Sequence, residues 1–201
     1  MYIKEAKFVC LDTETTGLSF QSGGRICEVA LLSSMGGKRL ESYSTLLNPE
    51  MYISPDVTAI HGITNEMVAL APHFKDIALT LADKLENSVL ICHNVAFDVP
   101  FLEYEFINAG LKMPQVTTLD TLKFARTHGC FSRNRLGIIA EELGFSCEGW
   151  HRAMADTVMA EKIFYHFLKH FMQAGAQTVE DLVALQTKKI GLKITGVSII
   201  I

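Results

Sequence analysis

The stretch Asp12-Thr13-Glu14-Thr15-Thr16-Gly17 follows Phe8-Val9-Cys10-Leu11, a run that is apolar on both faces of an extended chain. Such a run is typical of a central strand that helices cover on both sides. Because strand side chains alternate between faces, Asp12 and Glu14 should project to the same side. Two carboxylates at the end of a buried strand need a counter-charge, and a shared cation would provide it. The alternative is that both acids are solvated and have no chemical role. Acidic residues elsewhere in the sequence are needed to distinguish these two interpretations.

Turn signals and hydrophobic periodicity divide the chain into three opening strands and a later alternation of strands and helices. We predict five strands, over residues 6–11, 25–32, 39–47, 88–92 and 115–119. Helical patterns fill residues 54–85 and recur over 95–109, 121–127, 136–143 and 153–171. An antiparallel meander followed by this alternation predicts an α/β fold, with a mixed five-stranded sheet flanked by helices.

The length of 201 residues suits one α/β domain. We predict a main domain over residues 1–175 and a C-terminal extension over residues 176–201, which could be a docking element. The extension begins with a short helix from Thr178 and ends in Ser198-Ile199-Ile200-Ile201. An apolar, strand-forming end of this kind should pack on its own domain or on a partner.

Composition and cysteine usage predict a cytoplasmic protein with no membrane partner. The N-terminus lacks the pattern of a signal peptide, and no apolar run approaches the length that spans a membrane. The five cysteines are an odd number without a C-x-x-C pair, which argues against a disulfide framework and a zinc knuckle. We expect Cys10, Cys27 and Cys92 to pack as small hydrophobic side chains.

The net charge of −4 is only a weak argument against a nucleic-acid partner, because two bound divalent cations would offset it. Basic residues also cluster locally, at Lys123, Arg126, Arg133 and Arg135, with Arg152 further on. This cluster could contact phosphates or could be an ordinary solvated face.

Two more acids and a histidine fall where helices begin. Asp98 lies in the first turn after the strand at 88–92, and sites in open α/β sheets form outside such strand ends. On a regular helix His151 and Asp156 would be about 140° apart, so His151 must precede the helix if both face one site. Sparse carboxylate ligation suits Mg²⁺ better than zinc. Two such ions, with a histidine as general base, indicate phosphodiester hydrolysis.

Six motifs in this order and spacing resemble the DEDDh, or DnaQ-like, exonucleases, a family that includes the proofreading epsilon subunit of bacterial DNA polymerase III. The similarity covers about residues 6–170. Its motifs are Asp12-Thr13-Glu14-Thr15-Thr16-Gly17, Arg25-Ile26-Cys27-Glu28-Val29, Ile60-His61-Gly62-Ile63-Thr64, His93-Asn94-x-x-Phe97-Asp98, Asp120-Thr121-Leu122 and His151-x-Ala153-x-x-Asp156.

The resemblance implies a ribonuclease H-like fold and 3′ to 5′ hydrolysis that releases nucleoside 5′-monophosphates with two Mg²⁺ or Mn²⁺ ions. By position, it implies that the metals are held by Asp12, Glu14, Asp98 and Asp156. It implies that His151 deprotonates the attacking water. The same likeness implies that the residues in contact with the substrate are Thr13, Thr15, Gly17, Leu18, His61 and Phe97.

We therefore predict an exonuclease domain over residues 1–175 that hydrolyses DNA from 3′ ends, single-stranded DNA above all, in replication proofreading or repair. A DNA polymerase subunit is the predicted protein partner if the chain is not free-standing. An exoribonuclease and a non-catalytic polymerase-binding module are the alternatives. His61 could instead close a turn before Gly62, and Phe97 could belong to the core.

Overall fold

The computed structural model describes residues 1–145 and 151–196, which form one sheet with helices on both faces. The strands are β1 (Lys7–Thr15), β2 (Ile26–Met35), β3 (Lys38–Leu46), β4 (Ser88–Cys92) and β5 (Thr117–Asp120). The helices are α1 (Pro55–His61), α2 (Asn65–Val68), α3 (Phe74–Leu85), α4 (Val95–Asn108), α5 (Thr121–His128), α6 (Leu136–Glu142), α7 (Ala153–Gln173) and α8 (Val179–Leu185). Short 3₁₀ turns span Ile3–Glu5 and Phe20–Ser22.

The five strands are ordered β3-β2-β1-β4-β5. The pairs β1–β2 and β2–β3 are antiparallel, whereas β4 runs parallel to both β1 and β5. The carboxyl ends of β1, β4 and β5 therefore meet at one edge of the sheet. The acids at the end of β1 lie at this edge, which is where sites form in open α/β sheets.

Alternation along β1 divides the core into two layers. Phe8 and Cys10 pack with α5, α6, α7 and α8, whereas Val9 and Leu11 pack with α3 and α4. The same alternation continues past the apolar residues, so Asp12 and Glu14 point to the α7 side of the sheet. Thr13, between them, points to the α4 side.

Residues 176–196 pack on the rest of the domain. The backbone N–H of Ile3 donates to the carbonyl of Gln177 over 2.9 Å, and Val179, Leu182 and Leu185 are buried in the α7 layer. The Gln186 amide binds the open edge of β5, where its Oε1 accepts from the backbone N–H of Asp120 over 2.9 Å. Such a contact protects the edge from pairing with another chain. The predicted apolar end at residues 198–201 lies outside the described residues.

The prediction of an α/β fold with a mixed five-stranded sheet is confirmed. β2 continues to Met35, past its predicted end at Leu32, because Gly36 and Gly37 by themselves form the turn to β3. Both glycines have positive φ, which favours this residue type. Within the described residues, no helix is long and apolar enough to cross a membrane.

Candidate metal centre

Three carboxylates converge at the edge of the sheet. Asp12 and Glu14 project from the end of β1, and Asp156 projects from the first turn of α7, which covers that face. One oxygen from each lies within 4.8 Å of the others. Oxygen donors at this spacing are a suitable ligand set for a hard divalent cation.

The carboxyls of Asp12 and Glu14 are half-buried, that of Asp156 is buried, and the three repel one another. Burial, followed by the charges of Asp156 and Glu28, raises the pKa of Glu14 to about 8. Burial also raises the pKa of Asp156 to about 6, and burial with the nearby charge of Asp98 raises that of Asp12 well above its usual range. The Oδ1 atom of Asp156 is buried and has no hydrogen-bond partner among the described residues. A bound divalent cation would satisfy this oxygen and reverse the repulsion.

Asp98, predicted as a metal ligand, approaches from the α4 side. Its Oδ1 atom accepts hydrogen bonds from the backbone N–H and the hydroxyl of Thr13, over 3.1 and 2.8 Å. Asp98 is therefore outside the three-carboxylate cluster of the described residues, although its charge is the largest of those that raise the pKa of Asp12. Its burial raises its own pKa to about 7, and the hydrogen bonds from Thr13 oppose that rise.

His151 directly precedes α7, as the helical spacing predicts, and it is exposed. Its backbone has a φ of 62°, in the left-handed region that non-glycine residues rarely adopt. The backbone of His151 hydrogen bonds to the Asp156 carboxylate, and the positive charge of the imidazolium would lower the pKa of Asp156. The histidine thus lies beside the carboxylates and open to solvent.

A buried ion pair fixes the start of α7. The Glu28 carboxylate on β2 accepts from Nε and a terminal nitrogen of Arg152, over 3.1 and 2.7 Å, and from the backbone N–H of Ala153 over 3.0 Å. Helix N-termini leave such N–H groups unpaired, so Glu28 supplies the cap that α7 lacks in its own sequence. Because His151 and Asp156 flank this contact, we call Glu28, Arg152 and Ala153 the α7 clamp.

A second buried pair holds the loop after β1. Glu105 on α4 accepts from Nε and a terminal nitrogen of Arg25, over 2.7 and 2.9 Å. Arg25 in turn exchanges hydrogen bonds with Thr16, which fixes the ends of the loop at residues 16–25. Gly17 and Leu18, two predicted substrate contacts, belong to this loop, and the Leu18 side chain is 90% exposed.

The other predicted substrate contacts are less accessible. Thr13 is buried against Asp98, and the hydroxyl of Thr15 donates to the carbonyl of Gly17 over 2.7 Å. His61 is buried, and its Nδ1 accepts from the backbone N–H of Ile63 over 3.0 Å, which closes the turn after α1. Phe97 is half-buried, with its ring centroid 5.2 Å from that of Phe101.

Glu28 and Glu105 are the site residues that sequence reasoning missed. Glu28 lies within a motif of the family resemblance, and Glu105 lies outside the motifs. Glu28 is the one ionisable side chain in the apolar stretch Ile26–Leu32 apart from the thiol of Cys27, and Glu105 is flanked by the aromatic residues Tyr104 and Phe106. A buried carboxylate must be paired, so these positions are detectable in principle.

The fold and the carboxylate cluster define a domain with a candidate metal centre at the carboxyl edge of its sheet, and comparison with known proteins gives its family. Residues 9–164 match the family model of the exonucleases. This match spans most of the chain, and the chain belongs to the exonuclease family. The predicted resemblance to DnaQ-like exonucleases is thereby confirmed. Membership of this family implies dependence on a divalent metal, and the cluster of Asp12, Glu14 and Asp156 could hold such an ion.

Relatives with this domain are much longer proteins. The 3′-5′ exonuclease DinG of Bacillus subtilis is 30% identical over 181 residues, which are 90% of this chain and 19% of that protein. A DNA polymerase III subunit epsilon-like protein of Rhodobacter capsulatus is 33% identical over 175 residues, 85% of this chain and 25% of that protein. The chain thus spans a quarter or less of these relatives.

Solved structures share the fold. Exonuclease X in complex with 5′ overhanging duplex DNA has a TM-score of 0.64 and 24% identity, over 89% of this chain and 99% of that one. E. coli exonuclease I in complex with a dT13 oligonucleotide has a TM-score of 0.73 and 17% identity, over 85% of this chain and 42% of that one. These similarities confirm the ribonuclease H-like fold.

The carboxylate cluster should destabilise the metal-free protein at high pH. Folding raises the pKa of Glu14 from 4.5 to about 8. The contribution of protonated Glu14 to the free energy of unfolding is therefore complete below about pH 4.5 and is lost as the pH rises towards 8. In EDTA at pH 8, Glu14→Gln should therefore raise Tm, by about 3 °C or more. The difference should shrink at pH 5.

The measurement is thermal unfolding with Asp83→Asn as the control, because Asp83 is an exposed acid on α3. That variant should show no such pH-dependent gain. A lower Tm for Glu14→Gln at pH 8 would contradict the predicted repulsion.

The α7 clamp should govern metal affinity. Glu28→Gln keeps the side-chain shape but loses the charge that binds Arg152, so Asp156 should lose its fixed position. We expect Mn²⁺ affinity to fall about tenfold, as when partners that orient metal ligands are removed. Isothermal titration calorimetry measures this change.

Glu105→Gln is the matched control for the clamp, because it breaks the analogous pair with Arg25 away from the three-carboxylate cluster. Both substitutions should lower Tm, but only Glu28→Gln should weaken Mn²⁺ binding. An equal loss of affinity in the two variants would show that the clamp has no specific role.

Proposed function

We propose that the chain is a metal-dependent 3′ to 5′ exonuclease that hydrolyses DNA to nucleoside 5′-monophosphates. The observation that carries this proposal is the set of three carboxylates within 4.8 Å beside an exposed histidine, in an exonuclease domain. Two relatives, a 3′-5′ exonuclease and an epsilon-like polymerase III subunit, support the polarity and the role in proofreading or repair.

In this proposal Asp12, Glu14 and Asp156 would hold a first Mg²⁺ or Mn²⁺ ion, and Asp98 with Asp12 would hold a second. When bound, such a pair supplies an activated water and charge for the leaving oxygen. Asp98 would reach a metal from the α4 side through the carboxylate oxygen that Thr13 does not occupy. His151 would accept a proton from the attacking water at a ring nitrogen, because it lies next to Asp156 and faces solvent.

The loop after β1 would hold the terminal nucleotide. Leu18 projects into solvent from this loop, so its side chain is free to insert between bases. The backbone of Thr15 and Gly17 would contact the same nucleotide, and His61 and Phe97 would border its sugar. Thr13 would act through Asp98, because its hydroxyl is occupied there.

Single-stranded DNA is the substrate that we propose first, and a DNA polymerase subunit is the proposed protein partner. Several longer relatives are PolC-type DNA polymerase III chains, including one of Clostridium perfringens, which supports that partner class. An exoribonuclease is the alternative, because 2′-hydroxyl tolerance depends on pocket contacts. Rates on DNA and RNA oligonucleotides of one sequence separate these functions. The cytoplasmic location stays a prediction.

Asp12→Asn should abolish Mg²⁺-dependent release of mononucleotides, with a loss of ~10³-fold or more, because the residue would be shared by both metals. His151→Ala should lower kcat by ~10²-fold or more while Mn²⁺ binding persists. Asp83→Asn should match the wild type. Full activity of Asp12→Asn would exclude the proposed mechanism, and lost metal binding in His151→Ala would make that residue a ligand.

Leu18→Ala tests the proposed contact between the loop after β1 and the bases of the substrate. The side chain is 90% exposed, so Tm should not change, whereas KM for a DNA oligonucleotide should rise about fivefold or more through lost contact with a base. Leu70→Ala is the matched control, because Leu70 is 99% exposed and follows α2. Equal KM values for the two variants would remove Leu18 from the binding site.

A further inference from the structure

A basic groove leads away from the carboxylate cluster. A cavity of about 280 Å³ is bordered by His151 and Asp156 and also by Arg133 and Arg135. An adjoining cavity of about 610 Å³ shares those two arginines and continues past Arg126. The two cavities therefore form one path from the metal centre across three arginines, which we call the arginine groove.

Hydrogen bonds hold in place the loop that carries Arg133 and Arg135. Nε2 of His93, at the end of β4, contacts the carbonyl of Asn134 over 3.0 Å, between the two loop arginines. Because a carbonyl oxygen can only accept a hydrogen bond, Nε2 of His93 carries the proton and donates. Nδ1 contacts the Thr121 hydroxyl over 2.8 Å. The loop is also held at Ser132, whose backbone N–H donates to Glu142 over 3.0 Å.

The groove arginines differ from the other arginines of the chain. Arg25, Arg39 and Arg152 each pair with a buried glutamate, at Glu105, Glu161 and Glu28. Within residues 1–145 and 151–196, no carboxylate forms an ion pair with the groove arginines, and all three are exposed. Three guanidinium groups thus line this groove without forming an ion pair with a described carboxylate.

We propose that the arginine groove binds the phosphodiester backbone of the strand whose 3′ end lies at the metal centre, upstream of the terminal nucleotide. This inference rests on the proposed exonuclease function. Guanidinium groups bind phosphate oxygens through paired hydrogen bonds. The groove would also offset the repulsion between a polyanion and the carboxylate cluster.

The experiment compares two variants that remove the same charge. Arg133→Gln/Arg135→Gln neutralises the groove, and Lys4→Gln/Lys38→Gln neutralises two exposed lysines near the opposite end of the sheet. Two substrates are used: a ten-nucleotide single-stranded DNA and the p-nitrophenyl ester of thymidine 5′-monophosphate, which has no upstream nucleotide.

The arginine variant should raise KM for the oligonucleotide about tenfold and leave kcat within about twofold, while the ester kinetics stay unchanged. The slope of log KM against log salt should fall by about 1.4, which is about 0.7 for each lost phosphate contact to a single strand. Arg133→Lys/Arg135→Lys should restore most of that slope. The lysine control should behave as the wild type.

Equal KM values for the arginine variant and the lysine control on the oligonucleotide would overturn the proposal, as would a defect that is equally large on the ester. Failure of the exonuclease function looks different, because the wild type would then hydrolyse neither substrate. Fluorescence anisotropy of the labelled oligonucleotide still tests the groove in that case. Weaker binding by the arginine variant would support it, and unchanged binding would reject it.

Discussion

Repulsion among carboxylates at the end of a buried strand is the constraint on which the site depends. Asp12, Glu14 and Glu28 lie on one face of the sheet, where Glu14 is directly opposite Glu28 in the register of β1 and β2. Asp156 adds a fourth carboxylate from α7. The protein neutralises Glu28 with Arg152, whereas no described lysine or arginine forms an ion pair with the other three. A bound divalent cation would balance the negative charges of this cluster.

The buried carboxylates of the domain divide into two groups by their partners. Glu28 and Glu105 are bound by an arginine and a backbone N–H, and they fix α7 and the loop after β1. Asp98 is bound by Thr13 and links α4 to β1. Asp156 keeps an oxygen without a protein partner among the described residues. Glu28 and Glu105 thus hold structural elements in place, whereas the mutual repulsion of Asp12, Glu14 and Asp156 lowers the stability of the metal-free fold, a trade of stability for activity that is common at catalytic sites.

Local signals predicted much of this arrangement. Alternation placed Asp12 and Glu14 on one face, and helical geometry placed His151 before α7, because each depends only on neighbouring residues. The contacts of Thr13 with Asp98 and of Glu28 with Arg152 join residues 85 and 124 positions apart. The sequence identifies the charged residues but not which of them pair, because the pairing depends on how the helices pack. For the same reason, it showed a cluster of basic residues without showing that three arginines border two adjoining cavities, one of which also borders His151 and Asp156.

The proposed function depends on a divalent cation that binds between Asp12, Glu14 and Asp156. An anomalous difference map from crystals of the protein soaked in Mn²⁺ would show this ion. We expect a strong peak among the carboxylate oxygens of these three residues, with Asp98 close enough to border a second. A map without a peak at the carboxyl end of β1, or with the ion bound elsewhere, would contradict it.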